Sequence, residues 1–262
     1  MTGRVPFTAL FMDMDKLSSR KSPVIRRFRL LAADRDYRDS EGLYLCDGIK
    51  TLREALGFGA VVRAVLWRDR AEKLPGLEGA EQYAAEGELF DYASPLKNSP
   101  GPLFAVEQPR EDHDSPVGRA IVLENVQDPG NVGTVIRSAA AFGMDAVILT
   151  GTCADLYNPK TVRAAMGAVF RQRVLRLDRA GLTALLEKND LPLYGAALSE
   201  KAEDLRRLDL GKAAVAIGSE GSGLSPDMLE RCAGQMIIPM SPGSESLNAA
   251  VAAAVIMWEM VR

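Results

Sequence analysis

Three short segments in the second half of the chain carry side chains that could bind a small molecule or stabilise developing charge. They are LENVQDPGNVGTVIRSAAAFG at 123–143, AIGSEGSGLS at 216–225 and IIPMSPGSESLNAAVAAAVIMWE at 237–259. Each follows a predicted strand and opens a predicted helix. Ligands of α/β sheets bind at the carboxyl ends of the strands, so we expect the chemistry of this chain in these loops.

The first segment combines a turn, a helix start and an arginine. The tripeptide at 128–130, DPG, predicts a turn, and Asn131 is expected to cap the helix behind it. Gly133 and Arg137 are four residues apart and share a helix face. We expect Gly133 to let phosphate and ribose approach the helix backbone beside the Arg137 guanidinium. A surface arginine on an amphipathic helix is the alternative for Arg137 alone.

The second segment is rich in glycine. Its spacing, GxxGxG over Gly218, Gly221 and Gly223, differs from the GxGxxG of dinucleotide loops, and no lysine completes a Walker loop. A tight loop that holds an adenosyl group through backbone N–H and C=O groups fits this pattern, with Glu220 projecting from it. A plain turn is the alternative.

The third segment leads into the last helix. Ser246 and Asn248 stand at its expected start, where serine is a natural cap. Capping accounts for Ser246 and leaves Asn248 without an assigned role, although a local polar contact would provide one. The helix face that includes Leu247, Val251 and Trp258 is apolar, and we expect it to be buried in the core or in a dimer interface.

Strands and helices alternate along both halves of the chain, which indicates an α/β class with a parallel sheet in the second half. The polar segment 107–119 is typical of a linker. The first half predicts helices at 22–36, 48–56 and 78–86 and strands at 43–46, 60–67, 89–92 and 102–109. The second half predicts strands at 119–125, 145–150, 191–198, 212–219 and 235–240, and helices at 131–142, 159–169, 180–189, 225–232 and 246–261.

Composition restricts the possible chemistry. The chain has one histidine, His113, in the linker, so a histidine base or a histidine-rich metal site is not expected. Cys46, Cys153 and Cys232 are scattered, and we expect neither a disulfide framework nor a zinc site. No apolar run has the length of a membrane span and no signal peptide is evident, which predicts a cytoplasmic protein without membrane contact.

Charge is distributed unevenly. The net charge is −3, yet residues 1–40 are rich in arginine and lysine. This local basic surface could attract the phosphates of a nucleic acid, whereas a solvated helix face is the alternative.

Taken together, the three segments resemble the three motifs of the SpoU/TrmH branch of the SPOUT RNA methyltransferases. The segment at 157–171, YNPKTVRAAMGAVFR, is similar to a further stretch of that family. The likeness covers residues 119–262, and residues 18–109 resemble more loosely the family's ribosomal-protein-like substrate-binding domain. The matching residues are Asp128-Pro129, Asn131, Gly133 and Arg137 in the first segment, Gly218 to Gly223 in the second, and Ile238-Pro239-Met240 and Ser246-Leu247-Asn248 in the third.

The chain departs from the family pattern at three places. Ala249-Ala250 follows Ser-Leu-Asn where the family often has Val-Ser, Ala165 stands where it often has Ser, and Asp47-Gly48 replaces Glu-Gly. These departures bear on individual substrate contacts and leave the class unchanged.

The resemblance implies a fold and an assembly. It implies a C-terminal parallel-sheet SPOUT domain with a deep trefoil knot, and a smaller N-terminal α/β domain. It also implies a homodimer with active sites at its interface. The implied domains are an N-terminal extension at 1–17, an RNA substrate-binding domain at 18–109, a linker at 110–118 and the methyltransferase domain at 119–262.

The resemblance also implies a reaction, the transfer of a methyl group from S-adenosyl-L-methionine to a ribose 2′-hydroxyl of RNA, without a metal. Ribosomal RNA is favoured as substrate and transfer RNA is possible. Arg137 would bind the neighbouring phosphate and stabilise the alkoxide, and the phosphate or Glu220 would accept the proton. The implied catalytic residues are Arg137, Asn131, Glu220, Ser246 and Asn248, and the implied cofactor contacts are Leu198, Gly218, Ile238, Met240 and Leu247.

Three other functions are possible. A base-methylating relative would share the fold, but the Ser-Leu-Asn motif favours the ribose. A non-catalytic RNA-binding protein would not need to retain Arg137, Glu220 and Asn248. A nucleotide-dependent oxidoreductase would need the glycine spacing and downstream acid that this chain lacks.

Overall fold

The computed structural model describes residues 11–12, 16–96, 98–241 and 246–262. The chain forms two compact units, Met1–Pro109 and Arg110–Arg262. Most of the predicted N-terminal extension, residues 1–17, lies outside the described residues. Among the helices described, none has the length and hydrophobicity needed to cross a membrane.

The first unit is a small α/β layer structure. Its main sheet has the order β2-β6-β4-β7-β3, in which β2, β6 and β4 are parallel and β7 is antiparallel to both of its neighbours, while β1 and β5 pair separately. Its helices are α1 (Pro23–Ala33), α2 (Arg35–Glu41), α3 (Ile49–Gly57) and α4 (Gly87–Ala93). Its strands are β1 (Phe11–Met12), β2 (Lys16–Leu17), β3 (Leu43–Asp47), β4 (Val62–Arg68), β5 (Ala71–Glu72), β6 (Glu81–Ala85) and β7 (Leu103–Glu107).

Three of the elements predicted in the first unit are wrong. The helix predicted at 22–36 is two helices separated at Asp34, whose carboxylate accepts the Tyr37 N–H at 3.1 Å and begins α2. The segment 78–86, predicted to be a helix, contains strand β6. The segment 89–92, predicted to be a strand, lies in helix α4. Residues with high helix propensity form β6 because this segment pairs with β4, and Leu89, Phe90 and Ala93 have the i, i+1, i+4 spacing of a buried helix face.

The second unit contains a seven-stranded sheet, which confirms the predicted parallel α/β fold. Its order is β10-β9-β8-β13-β11-β14-β12 and every neighbouring pair is parallel. The strands are β8 (Arg119–Glu124), β9 (Ala146–Thr150), β10 (Val174–Arg176), β11 (Leu193–Ala196), β12 (Glu203–Asp204), β13 (Ala213–Ile217) and β14 (Gly234–Ile237). The helices are α5 (Pro129–Phe142), α6 (Pro159–Ala164), α7 (Arg179–Lys188), α8 (Pro226–Arg231) and α9 (Ala249–Val261), with 3-10 turns at Ala168–Phe170 and Leu205–Arg207.

The central strands of this sheet account for the position of the site. Every residue of β9 and β13 is buried, as expected for strands with both faces covered. Because neighbouring strands are parallel, the loops after β8, β9, β11, β13 and β14 leave the same edge of the sheet. The predicted trefoil knot stays a prediction.

Candidate active site

The start of α5 differs from the sequence prediction. Asp128, rather than Asn131, caps the helix, because its Oδ1 accepts the backbone N–H of Asn131 at 2.8 Å. Pro129 occupies the first helical position, where its fixed φ and missing N–H fit the helix. Asn131 therefore lies inside the first turn, and its side-chain amide is free for contacts with other loops.

The Asn131 amide links two other loops of the second unit. Its Nδ2 donates to Oε1 of Glu220, in the glycine-rich loop after β13. Its Oδ1 accepts from Nδ2 of Asn248, immediately before α9, at 3.0 Å. Glu220, Asn131 and Asn248 thus form one hydrogen-bonded series, named the amide chain below, and it brings together three of the predicted catalytic residues.

Asn248 has a second role that the sequence prediction gave to Ser246. Its Oδ1 accepts the N–H groups of Ala250 at 3.0 Å and Val251 at 3.3 Å, and α9 begins at Ala249. The helix predicted from residue 246 therefore starts three residues later. One amide caps α9 with its oxygen and joins the amide chain with its nitrogen.

The loop after β13 closes tightly on itself. The Gly223 N–H donates to the Ser219 carbonyl at 2.9 Å, and Gly223 has a φ of +65°. A Cβ on Gly218 would lie 2.0 Å from the backbone carbon of Gly223, so glycine is required at that approach. The sequence prediction of a compact, backbone-rich loop is consistent with this geometry.

A buried carboxylate that the sequence analysis missed anchors the far end of this loop. Glu124, at the end of β8, is 3 % exposed. Its Oε2 accepts the Ser225 N–H at 2.8 Å and its Oε1 accepts the Ser225 hydroxyl at 2.7 Å. Ser225 in turn caps α8. The available signal was a carboxylate that directly follows the four apolar residues 120–123.

The glycine-rich loop forms one wall of a cleft of about 420 Å³. This volume is within the range of about 300–1,000 Å³ typical of small-molecule sites. Apolar side chains and loop backbone line it, together with Glu220 and Ser246. All five residues predicted to contact a cofactor line this cleft: Leu198, Gly218, Ile238, Met240 and Leu247.

A second, polar cleft adjoins the first. It has a volume of about 520 Å³ and is lined by Asn125, Gln127, Thr152 and residues 219–222. Residues 219–222 also line the first cleft, so Glu220 lies at the boundary between the two. A group in one cleft can therefore meet a group in the other beside the Glu220 carboxylate.

Arg137 and Gly133 lie on the predicted helix, but their surroundings differ from those expected from the sequence. Arg137 is exposed on α5 and lines neither of these clefts, and it makes no hydrogen bond or ion pair with the residues that the structure describes. Gly133 is buried against α6, where a Cβ would lie 2.4 Å from the Thr161 carbonyl oxygen. The prediction that Gly133 opens the helix to phosphate is wrong, since this glycine allows α5 and α6 to pack closely.

The two cysteines of the second unit, Cys153 and Cys232, are partly buried, and burial disfavours their thiolate forms. Burial raises the pKa of the Cys153 thiol. Burial, with a smaller contribution from the Glu124 carboxylate, raises the pKa of Cys232 to about 11. Both thiols therefore stay protonated near pH 7, and covalent cysteine chemistry is not supported at this site.

The chain is similar in sequence to proteins named as RNA methyltransferases. A model of the SpoU rRNA Methylase family matches residues 118–258. The 23S rRNA (guanosine(2553)-2′-O)-methyltransferase RlmP of Bacillus subtilis is 29 % identical over 248 residues, which are 94 % of this chain and 99 % of that protein. A protein of Synechocystis described as an uncharacterized tRNA/rRNA methyltransferase is 30 % identical over 267 residues, covering 97 % of this chain and 96 % of that protein.

A solved structure extends the similarity to the fold and the cofactor. The SpoU methyltransferase AviRb of Streptomyces viridochromogenes, in complex with AdoMet, matches with a TM-score of 0.80 at 26 % identity. The match covers 92 % of this chain and 98 % of that chain.

The two roles of Asn248 can be separated by substitution. Asn248→Ala removes the cap and the amide contact, and we expect the free energy of unfolding to fall by about 1 kcal/mol. Asn248→Ser keeps a capping oxygen without the amide that reaches Asn131, so we expect most of that stability to remain. Urea unfolding followed by circular dichroism measures both variants. Equal losses in the two variants would show that Asn248 does not act as the cap.

Proposed function

The chain belongs to the SpoU rRNA methylase family, and on that premise we propose that it transfers a methyl group from S-adenosyl-L-methionine to a ribose 2′-hydroxyl of ribosomal RNA. The observation that carries this proposal is the position of Glu220 between the two clefts, held by the amide chain. Relatives named as 2′-O-methyltransferases of 23S rRNA support the substrate.

The first cleft, of about 420 Å³, suits the cofactor and is named the cofactor cleft. Leu198, Ile238 and Leu247 provide apolar surface for the adenine ring, and the close approach at Gly218 leaves loop backbone groups beside it. When bound, the cofactor supplies a methyl group on a positively charged sulfur. The residues of the chain have to align the ribose with that group, and alignment alone contributes several kcal/mol to catalysis.

Glu220 is the group best placed to accept the 2′-hydroxyl proton. The Asn131 Nδ2 holds its carboxylate at one oxygen, which leaves the other oxygen for the substrate. Asn248 fixes the Asn131 amide from the opposite side. We propose that Ser246, which also lines the cofactor cleft, contacts the reacting groups from the α9 side.

Arg137 is proposed to bind RNA phosphate. Arginine stays protonated in proteins and therefore does not act as a base. Its guanidinium is exposed on the helix that carries Asn131 and has no ion pair within the described part of the chain. An exposed guanidinium without an ion pair is suited to hold a phosphate beside the target ribose. It is also suited to stabilise negative charge on the ribose 2′-oxygen.

The exposed face of α9 supports the homodimer. Val251, Val255 and Trp258 of α9 are 49 %, 38 % and 58 % exposed, and Leu247, just before the helix, is 37 % exposed. Burial of this face in the core of the same chain, one of the two sequence-based alternatives, is therefore wrong. A row of large apolar side chains on one helix face is typical of a protein interface, and we propose that it pairs with a second copy of the chain.

The first unit is proposed to bind the RNA. The Arg20 and Arg29 guanidinium carbons lie 4.7 Å and 4.1 Å from the centre of the Tyr92 ring. Arginine and aromatic side chains together bind phosphates and stack on unpaired bases. We also propose a cytoplasmic location, because the proposed substrate is ribosomal RNA.

Methyl transfer to RNA tests the function directly. Purified protein is incubated with methyl-labelled S-adenosylmethionine and unmodified 23S rRNA, with a tRNA mixture in parallel, and the RNA is then hydrolysed with alkali. A methylated ribose blocks cleavage, so we expect the label in an alkali-resistant dinucleotide from rRNA. Label in mononucleotides would show base methylation instead, and the absence of label would contradict the enzymatic function.

Arg137→Ala tests the proposed phosphate contact. We expect kcat for methyl transfer to fall about 100-fold to 1,000-fold, as for loss of one group that stabilises charge in a transition state. The dissociation constant of the cofactor should not change, because Arg137 does not line the cofactor cleft. The control is Arg207→Ala, which removes an exposed guanidinium elsewhere in the same unit. Normal turnover by Arg137→Ala would refute the role.

Val251→Glu tests the dimer. Sedimentation velocity should give twice the 28.3 kDa mass of one chain for the unaltered protein and a single-chain mass for Val251→Glu, because the interface would bury an unpaired charge. The matched control is Val61→Glu, since Val61 is 46 % exposed in the first unit. A dimer that persists in Val251→Glu would place the interface elsewhere.

A further inference from the structure

We infer that the polar cleft lined by Asn125, Gln127 and Thr152 binds the base of the nucleotide that is methylated and recognises its hydrogen-bond acceptors. This inference rests on the proposed function, because it concerns the nucleoside whose ribose reaches Glu220. It assigns a substrate-selecting role to three residues outside the predicted catalytic and cofactor sets.

The orientation of the Asn125 amide is determined by its neighbours. The backbone N–H of Thr152, which can only donate, donates to Asn125 Oδ1 at 2.8 Å. The Thr152 hydroxyl donates to the same oxygen at 3.0 Å. Oδ1 is therefore occupied, and the Asn125 Nδ2 has no hydrogen-bond partner within the described residues. Asn125 is half-buried, so its Nδ2 is a donor with a defined orientation that a ligand acceptor can reach.

The loop that carries Asn125 is built to hold this side chain. Asn125 has a φ of +57°, a left-handed conformation that is uncommon outside glycine and is most readily adopted by Asn and Asp. A Cβ on Gly151 would lie 2.3 Å from Asn125 Oδ1, so glycine at 151 makes room for the amide. Backbone bonds from Asn125 N–H to the Thr150 carbonyl and from Ala154 N–H to the Val126 carbonyl join the two loops.

The lining of the cleft favours a base over a phosphate. No lysine or arginine is among the described residues that line it, and amides and hydroxyls predominate. Lysine and arginine provide most of the attraction to phosphate in nucleic-acid complexes, whereas Asn and Gln side chains recognise base edges through paired donors and acceptors. The Gln127 amide is exposed and can present either group, next to the fixed donor of Asn125.

The position of the cleft agrees with this role. It shares residues 219–222 with the cofactor cleft, and Glu220 lies between them. A ribose beside Glu220 would have the cofactor on one side and the polar cleft on the other. RNA-binding proteins commonly recognise single-stranded nucleotides by the edges of unstacked bases, and a base in this cleft would be read in that way.

Asn125→Asp tests the inference with a minimal change. The substitution keeps an oxygen for the two donors of Thr152 and replaces the outward donor by a carboxylate oxygen, which repels base acceptors. We expect kcat/KM for RNA methylation to fall roughly tenfold to hundredfold. The dissociation constant of S-adenosylmethionine should stay unchanged because Asn125 does not line the cofactor cleft. Gln127→Ala should also lower kcat/KM.

The matched control is Asn158→Asp, which adds the same charge to the same unit. Asn158 caps α6 by accepting the Lys160 N–H at 2.9 Å, and aspartate caps equally well. The control should methylate RNA at the rate of the unaltered protein.

The experiment uses 23S rRNA transcripts with each of the four bases at the methylated position, after that position has been mapped with the unaltered protein. We expect the unaltered protein to discriminate between the bases and Asn125→Asp to change the order of preference. Unchanged kcat/KM and base preference in both variants would overturn the inference while leaving the proposed function intact. No methyl transfer by the unaltered protein would refute the proposed function and the inference with it.

Discussion

The amide chain from Glu220 through Asn131 to Asn248 is the interaction on which the rest of the site depends. Its members are separated in the sequence by 89 and 117 positions. An asparagine side chain carries a donor and an acceptor, so Asn131 can hold a carboxylate with one and a second amide with the other. The two segments that it joins both line the cofactor cleft, so this contact determines how the walls of that cleft lie relative to one another.

Local helix chemistry makes the amide chain possible. Asp128 and Pro129 begin α5, which leaves the Asn131 side chain without a capping duty. At α9 one residue performs both functions, because the Asn248 Oδ1 caps the helix and the Asn248 Nδ2 donates to Asn131. Glu124 anchors the end of the glycine-rich loop through Ser225. The site is therefore assembled by side chains at the ends of β8, α5, α8 and α9.

Much of the second unit could be predicted from the sequence. Buried strands such as β9 and β13 are continuous apolar runs that alternate with amphipathic helices, and this order alone predicts a parallel sheet. Because parallel strands place their following loops at one edge, the five proposed cofactor contacts could be expected to lie together. β10 and β12 were missed because segments of three and two residues carry no recognisable period.

The errors arose where distant partners decide the structure. β6 has a composition that favours a helix, and pairing with β4 overrides it. Both caps were assigned to the wrong residue because several residues near each helix start are good caps, and tertiary contacts decide between them. Gly133 was predicted to make room for a ligand, because its close contact with the Thr161 carbonyl on another helix is not visible in the sequence. The polar cleft was also missed, because the left-handed backbone of Asn125 leaves no clear pattern in the sequence.

Calorimetric titration of S-adenosylmethionine into the unaltered protein and into Asn131→Ala tests the central claim most directly. Asn131 does not line the cofactor cleft, yet its amide holds two of the segments that do. The account predicts one cofactor per chain for the unaltered protein, and binding weaker by roughly tenfold or more for Asn131→Ala, since a hydrogen bond to a charged group is lost. An unchanged dissociation constant in Asn131→Ala would contradict it.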